Sequence, residues 1–110
     1  MTDQHKLQEL VQRAEEMQAL YEQVESNNKA LRDTIKELGL MHEQMAKLIA
    51  YYHGEWIKDR ELLRNHPVRD KLMFAEDPIF DEIQLWDKNL KKIRKTSKKL
   101  LKELGGAEED

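Results

Sequence analysis

The chain has 110 residues and no cysteine, with charged residues at 37% and aromatic residues at 6%. This length allows one small domain, and the lack of cysteine excludes a disulfide framework and a cysteine-based zinc site. The longest stretch without Asp, Glu, Lys or Arg is seven residues, 48–54, whereas a membrane-spanning helix needs about 20 apolar residues. Because the N-terminus is charged rather than an apolar signal core, we expect a cytoplasmic protein with no membrane span.

Residues 3–53 are predicted to form one long helix. Apolar residues recur here at alternating intervals of three and four, with only Asn28 and His42 as polar members of the series. This heptad pattern is typical of a coiled coil. The run Ser26-Asn27-Asn28 contains weak helix formers, so a bend at 26–28 is the alternative. We favour the unbroken helix because the heptad phase continues across these residues.

A short helix, a loop and a second long helix follow. Gly54 is a helix stop, and Pro67 pushes the residue before it out of the helical region. Asp77 and Pro78 are suited to the cap and the first turn of a helix. The sequence therefore predicts a single all-α domain, 1–104, in which the last helix returns antiparallel with coiled-coil-like packing. Its segments are a short helix at 55–65, a loop at 66–77, a helix at 78–104 and a disordered acidic tail at 105–110.

The first half of the long helix is expected to need a partner. If the last helix folds back from Tyr52, Leu104 arrives near Ser26, and 3–25 has nothing to pack against. An apolar stripe of that length is seldom left bare in water. We therefore expect either a homodimer, which we favour, or a three-helix bundle bent at 26–28. The residues predicted to bind the partner are Leu7, Leu10, Met17, Tyr21 and Val24.

Charge is distributed unevenly along the chain. Residues 1–25 carry six acids and two bases, and 88–102 carry eight bases and no acid. The basic run occupies roughly half of the helix circumference beside the apolar stripe. Such a face can hold phosphate backbone, an anionic membrane surface or an acidic helix. Because seven of the eight bases are Lys and no aromatic residue lies among them, we favour protein carboxylates as the partner of Lys91, Lys95, Lys98 and Lys102.

Three aromatic residues, Tyr51, Tyr52 and Trp56, lie where the long helix ends. Trp56 is predicted to pack under the loop with Tyr52 and with apolar residues near Phe74 or Phe80. Asp59 follows Trp56 by one helical turn, so its carboxylate is expected to anchor local backbone.

Four carboxylates near this segment, Glu55, Asp59, Glu76 and Asp77, could form an acidic pocket that binds a cation or supports acid–base chemistry. Caps and solvated turns are the plainer interpretation. The chain has no glycine-rich phosphate loop or nucleophile elbow, and Ala46 stands where the helix that begins at His42-Glu43 would need a second zinc-binding His. We therefore predict no catalytic residue, no metal and no cofactor.

The segment Tyr51-Tyr52-His53-Gly54-Glu55-Trp56-Ile57-Lys58-Asp59 resembles the Tyr-Tyr-x-x-Glu-Trp-x-x-Asp signature of an uncharacterised family of small helical proteins from Gram-positive bacteria, a domain of unknown function. Met17, Tyr21, Pro67 and Glu76-Asp77 match its other positions, and the resemblance covers residues 13 to about 95. The loop lacks the family's glycines, and Met73-Phe74-Ala75 replaces Val-Leu-Ser. The resemblance implies a helical fold and a Gram-positive or phage source, and it supplies no activity.

Taken together, these features predict a non-enzymatic helical adaptor or regulatory protein-interaction module that acts by coiled-coil packing, as a homodimer and/or with another protein. Two alternatives come from other classes. One is a nucleic-acid-associated accessory protein that uses the basic face of 88–102. The other is a small cation-dependent enzyme that uses the carboxylate cluster.

Overall fold

The computed structural model describes residues 2–105, and within this range the protein contains helices and turns but no strand. Helix α1 is Thr2–His53, α2 is Trp56–Leu62 and α3 is Pro78–Glu103. Between α2 and α3 the chain forms two short 3₁₀ turns, Pro67–Asp70 and Leu72–Phe74. The predicted all-α fold, with a long N-terminal helix, a short middle helix with a loop and a C-terminal helix, is confirmed.

Helix α1 continues without interruption through 26–28, so the alternative of a bend there is wrong. The Gln23 side-chain amide donates to Asn27 Oδ1 at 2.9 Å, one helical turn away. Such pairs add only tenths of a kcal/mol. Weak helix formers also cost only tenths each, because propensity differences between ordinary residues stay below about 0.7 kcal/mol. Three of them inside a helix of strong formers are therefore too few to break it.

The chain divides into two compact units, Met1–Glu43 and Gln44–Asp110. Unit 1 consists of α1 up to Glu43. Every side chain described in 3–43 is exposed except that of Leu38, which is half-buried. Such a helix gains little from packing, which supplies most helical stability in proteins.

Unit 2 contains the apolar core. Trp56, Phe74 and Ile79 are buried, and Phe74 is only 1% exposed. These three residues come from α2, the second 3₁₀ turn and α3, so the loop contributes directly to the core. Partly buried side chains around them come from the end of α1, from the residue that follows α2, from the second 3₁₀ turn and from α3, namely Leu48, Tyr51, Tyr52, Leu63, Met73 and Ile83.

Two glycines end the long helices for different reasons. A Cβ atom on Gly54 would lie 2.9 Å from the Ala50 carbonyl oxygen, too close for any other residue without a backbone shift. Gly105 has φ 75°, the left-handed conformation that glycine adopts without strain. Both stops were predicted. The tail predicted at 105–110 lies outside the described residues from 106 onwards.

Helix α3 begins at Pro78 as predicted, but not through the expected side-chain cap. Within the described chain, Asp77 makes no side-chain hydrogen bond to the start of α3. Its backbone carbonyl instead accepts the Asp81 N–H at 2.9 Å. Asp77 has φ −106° and ψ −20°, whereas a capping residue normally adopts an extended conformation. The helix start therefore rests on proline, which is pre-set for the first turn.

Candidate interaction surfaces

The five residues predicted to bind a partner form an exposed apolar stripe on α1. We call this set the α1 stripe: its members are between 46% and 60% exposed, and they are Leu7, Leu10, Met17, Tyr21 and Val24. Val11 and Leu20 are also about half exposed and widen the apolar surface. Because the stripe repeats at heptad spacing, it can pack against another helix along its length.

The aromatic corner, defined as Tyr51, Tyr52, Glu55, Trp56 and Asp59, is where α1 gives way to α2. The Trp56 indole N–H donates to the Met73 carbonyl oxygen at 2.8 Å. Its ring lies 5.0 Å from the Tyr52 ring, centroid to centroid, at an interplanar angle of 50°.

The predicted packing of Trp56 with Tyr52 and Phe74 is confirmed, since all three belong to one apolar cluster. The alternative neighbour, Phe80, is 45% exposed and is not among the residues that the structure places in this cluster. It follows Ile79 on α3, and successive helical positions point about 100° apart.

Asp59 links α2 to the end of α1. The Tyr51 hydroxyl donates to Asp59 Oδ2 at 2.8 Å. This hydrogen bond raises the pKa of Tyr51, and partial burial and the negative charges of Asp59 and Glu55 raise it further. The expectation that the carboxylate anchors local backbone is therefore wrong, because its partner is a side chain on another helix.

Residues of the Tyr-Tyr-x-x-Glu-Trp-x-x-Asp motif contact one another in the structure. The Tyr51–Asp59 hydrogen bond and the Tyr52–Trp56 ring contact use four of its five residues. The fifth, Glu55, is exposed at the start of α2. The spacing in Tyr-Tyr-x-x-Glu-Trp-x-x-Asp is thus the spacing that folds the corner.

Two arginines that sequence reasoning missed hold the loop in place. Arg60 Nε donates to the Phe74 carbonyl oxygen at 2.8 Å, and its guanidinium carbon lies 5.5 Å from the centre of the Trp56 ring. Arg69 Nε donates to the Arg60 carbonyl oxygen at 2.9 Å. Their partners are mainly backbone carbonyls, which every residue has and which therefore cannot be identified from the sequence. The one signal in the sequence is that Arg60 follows Trp56 by one helical turn, which favours contact with its ring.

The structure does not assemble the proposed acidic pocket into a metal site. Glu55, Glu76 and Asp77 are exposed, and Asp59 is engaged by Tyr51. Within residues 2–105, no group of three or more His, Cys, Asp or Glu side chains could hold a metal ion. A groove of about 740 Å³ runs beside α3, but it is lined by that helix alone, between Phe80 and Lys91. One helix cannot enclose a small molecule.

The basic residues of α3 are solvated. We call Lys91, Lys95, Lys98 and Lys102 the α3 basic face; all four are exposed. Lys91 pairs with Asp87 at 2.8 Å, and it is the one base of 88–102 with an ion pair in the described part of the chain. The apolar residues on the same stretch are exposed as well, so the coiled-coil-like packing predicted for the last helix is wrong beyond Leu90.

Comparison with protein-family models, curated proteins and solved structures found no match to this chain. The resemblance to the Gram-positive family therefore stays a prediction. Among the described helices, none combines the length and apolarity that crossing a membrane requires.

Proposed function

We propose that the protein is a helical interaction module, an adaptor or regulator, and that the α1 stripe packs against a second copy of the chain. The observation that carries this proposal is the exposure of the α1 stripe at uninterrupted heptad spacing. Packing of an apolar face supplies most helical stability in proteins, and within the described residues 3–43 this face is exposed. A second helix on the stripe supplies that packing.

The energy available is in the range of a reversible dimer. Full burial of an aliphatic side chain contributes about 1.5–3 kcal/mol. The stripe residues are already about half covered by their own helix, so each retains roughly 1 kcal/mol to gain. Five residues in each of two chains give roughly 10 kcal/mol, against an association cost of about 4–15 kcal/mol. Because the gain is of the same size as the cost, the α1 stripe alone accounts for at most a weak dimer, whose population depends on concentration.

The test is a pair of lysine substitutions on the α1 stripe. Leu10→Lys and Met17→Lys together should leave a chain that sediments at 13.1 kDa, the mass of one copy, because a buried unpaired charge costs several kcal/mol. Both side chains are about half exposed within one chain, so the core of unit 2 should be unaffected. The matched control, Gln12→Lys with Ala19→Lys, adds the same charge off the heptad core positions.

The wild type and the control should sediment at about 26 kDa, twice the mass of 13.1 kDa. A wild-type chain that stays at the mass of one copy at all concentrations would contradict the proposal. So would a stripe variant that dimerises as well as the control.

A further inference from the structure

The C-terminal half of α3 exposes both apolar and basic side chains. Every described side chain from residue 91 onwards is exposed. The apolar ones are between 46% and 82% exposed, and they are Ile93, Leu100, Leu101 and Leu104. A binding partner that covers this segment fully must therefore contact both apolar and basic side chains.

These two surfaces lie on roughly opposite sides of the helix, so the expectation that the basic run lies beside the apolar stripe is wrong for the α3 basic face. At about 100° per residue, the four apolar residues fall within a sector of roughly 100°. The α3 basic face falls within a sector of about 60°, centred approximately opposite. The remaining bases, Lys88, Lys92, Arg94 and Lys99, extend the positive surface towards both edges of the apolar sector.

Few kinds of partner can contact the apolar side and the basic side of this helix at the same time. A helix from a second protein docks against one side and leaves the other in water. A nucleic-acid duplex neutralises the bases but leaves the apolar side exposed, and it favours Arg, of which this segment has one. A lipid interface engages both, because apolar side chains enter the acyl boundary while long lysine side chains reach the headgroups.

We propose that residues 91–104 form an amphipathic helix that lies on an anionic phospholipid surface. The eight bases of 88–102, with no acid among them, supply the attraction to phosphate headgroups. The four apolar residues supply the insertion. The site lies entirely in unit 2, so it stands independently of the α1 stripe and of the dimer.

The test is co-sedimentation of the full chain with vesicles made of equal parts phosphatidylcholine and phosphatidylglycerol, compared with vesicles of phosphatidylcholine alone. The protein should bind the anionic vesicles, bind the neutral ones far less, and lose binding as salt rises. Replacing the α3 basic face with four Gln should lower partitioning by two to three orders of magnitude, at about fivefold per lysine. The control carries the same charge change on α1: Lys29→Gln, Arg32→Gln, Lys36→Gln and Lys47→Gln.

A second pair of variants tests insertion. Leu100→Gln with Leu104→Gln should lower vesicle binding at least about tenfold, since each removes apolar area from the acyl boundary. Leu62→Gln with Leu72→Gln, at positions 74% and 75% exposed outside α3, should leave binding unchanged.

Three results would overturn the proposal: equal binding to neutral vesicles, equal loss of binding in the control variants, or undiminished binding by the four-Gln variant. A four-Gln variant that loses dimer mass would also overturn it, because the lysines would then face a second copy. Failure of dimerisation with vesicle binding intact would refute the proposed function alone.

Discussion

Trp56 is the residue on which the core of unit 2 depends most. It is 7% exposed, and its indole N–H donates to the Met73 carbonyl oxygen at 2.8 Å. Trp56→Ala should lower the free energy of unfolding by about 3–5 kcal/mol, since it removes a large buried side chain and leaves a cavity. That is a large share of the roughly 5–15 kcal/mol typical of a whole domain.

Trp56→Phe separates packing from hydrogen bonding. It keeps most of the apolar contact with Tyr52 but leaves the Met73 carbonyl without its donor, which should cost about 1–2 kcal/mol. Urea unfolding followed by circular dichroism measures both losses. Leu62→Ala, at a position 74% exposed and outside the α1 stripe, is the control and should stay within about 0.5 kcal/mol of the wild type. A loss of less than about 1 kcal/mol for Trp56→Ala would show that this side chain does not support the core, and a Phe variant as unstable as the Ala variant would show that packing contributes nothing.

Two further predictions concern the hydrogen bond at the corner and the two glycines Gly39, inside α1, and Gly54, just after it. The pKa of Tyr51 lies above its usual 10.0, so the hydroxyl stays protonated to a higher pH in the folded chain than in the unfolded chain. The stability that this hydrogen bond contributes is complete below the pKa of the unfolded state and is lost as pH rises through the pKa of the folded state. Asp59→Asn should bring the pKa of Tyr51 down towards its usual value, measured as phenolate absorbance after subtracting a Tyr51→Phe spectrum, and an unchanged titration would count against the bond. Gly39→Ala should raise the melting temperature, because its Cβ meets nothing within 4 Å and alanine favours a helix by about 1 kcal/mol. Gly54→Ala should lower the melting temperature, because its Cβ would lie 2.9 Å from the Ala50 carbonyl oxygen; equal shifts for the two glycines would contradict this.

Helix positions could be predicted from the sequence because periodicity and stop signals are local. The heptad spacing continues through Ser26-Asn27-Asn28 and correctly predicted that α1 is unbroken there. Pro78 lies at the start of α3, and Gly105 follows its end. The contact between Tyr52 and Trp56 in the aromatic corner could also be predicted, because these residues are only four apart in the sequence.

What could not be predicted depends on contacts between distant segments. Arg60 and Arg69 hold the loop through backbone carbonyls, and a carbonyl has no residue-specific signature. The exposure of α3 beyond Leu90 was missed for a related reason: a stripe shows which face a helix could bury, but burial also requires a surface opposite it. Because the lysines of the α3 basic face share this segment with exposed apolar residues, a phospholipid surface replaces protein carboxylates as their proposed partner.

Hydrogen–deuterium exchange of the wild-type chain over a range of concentrations distinguishes an α1 stripe packed on a second copy from one exposed to water. If the α1 stripe packs on a second copy, amides in 3–43 should become more protected as concentration rises, while those around Trp56 and Phe74 should stay unchanged. Protection of 3–43 that is the same at every concentration would contradict the account.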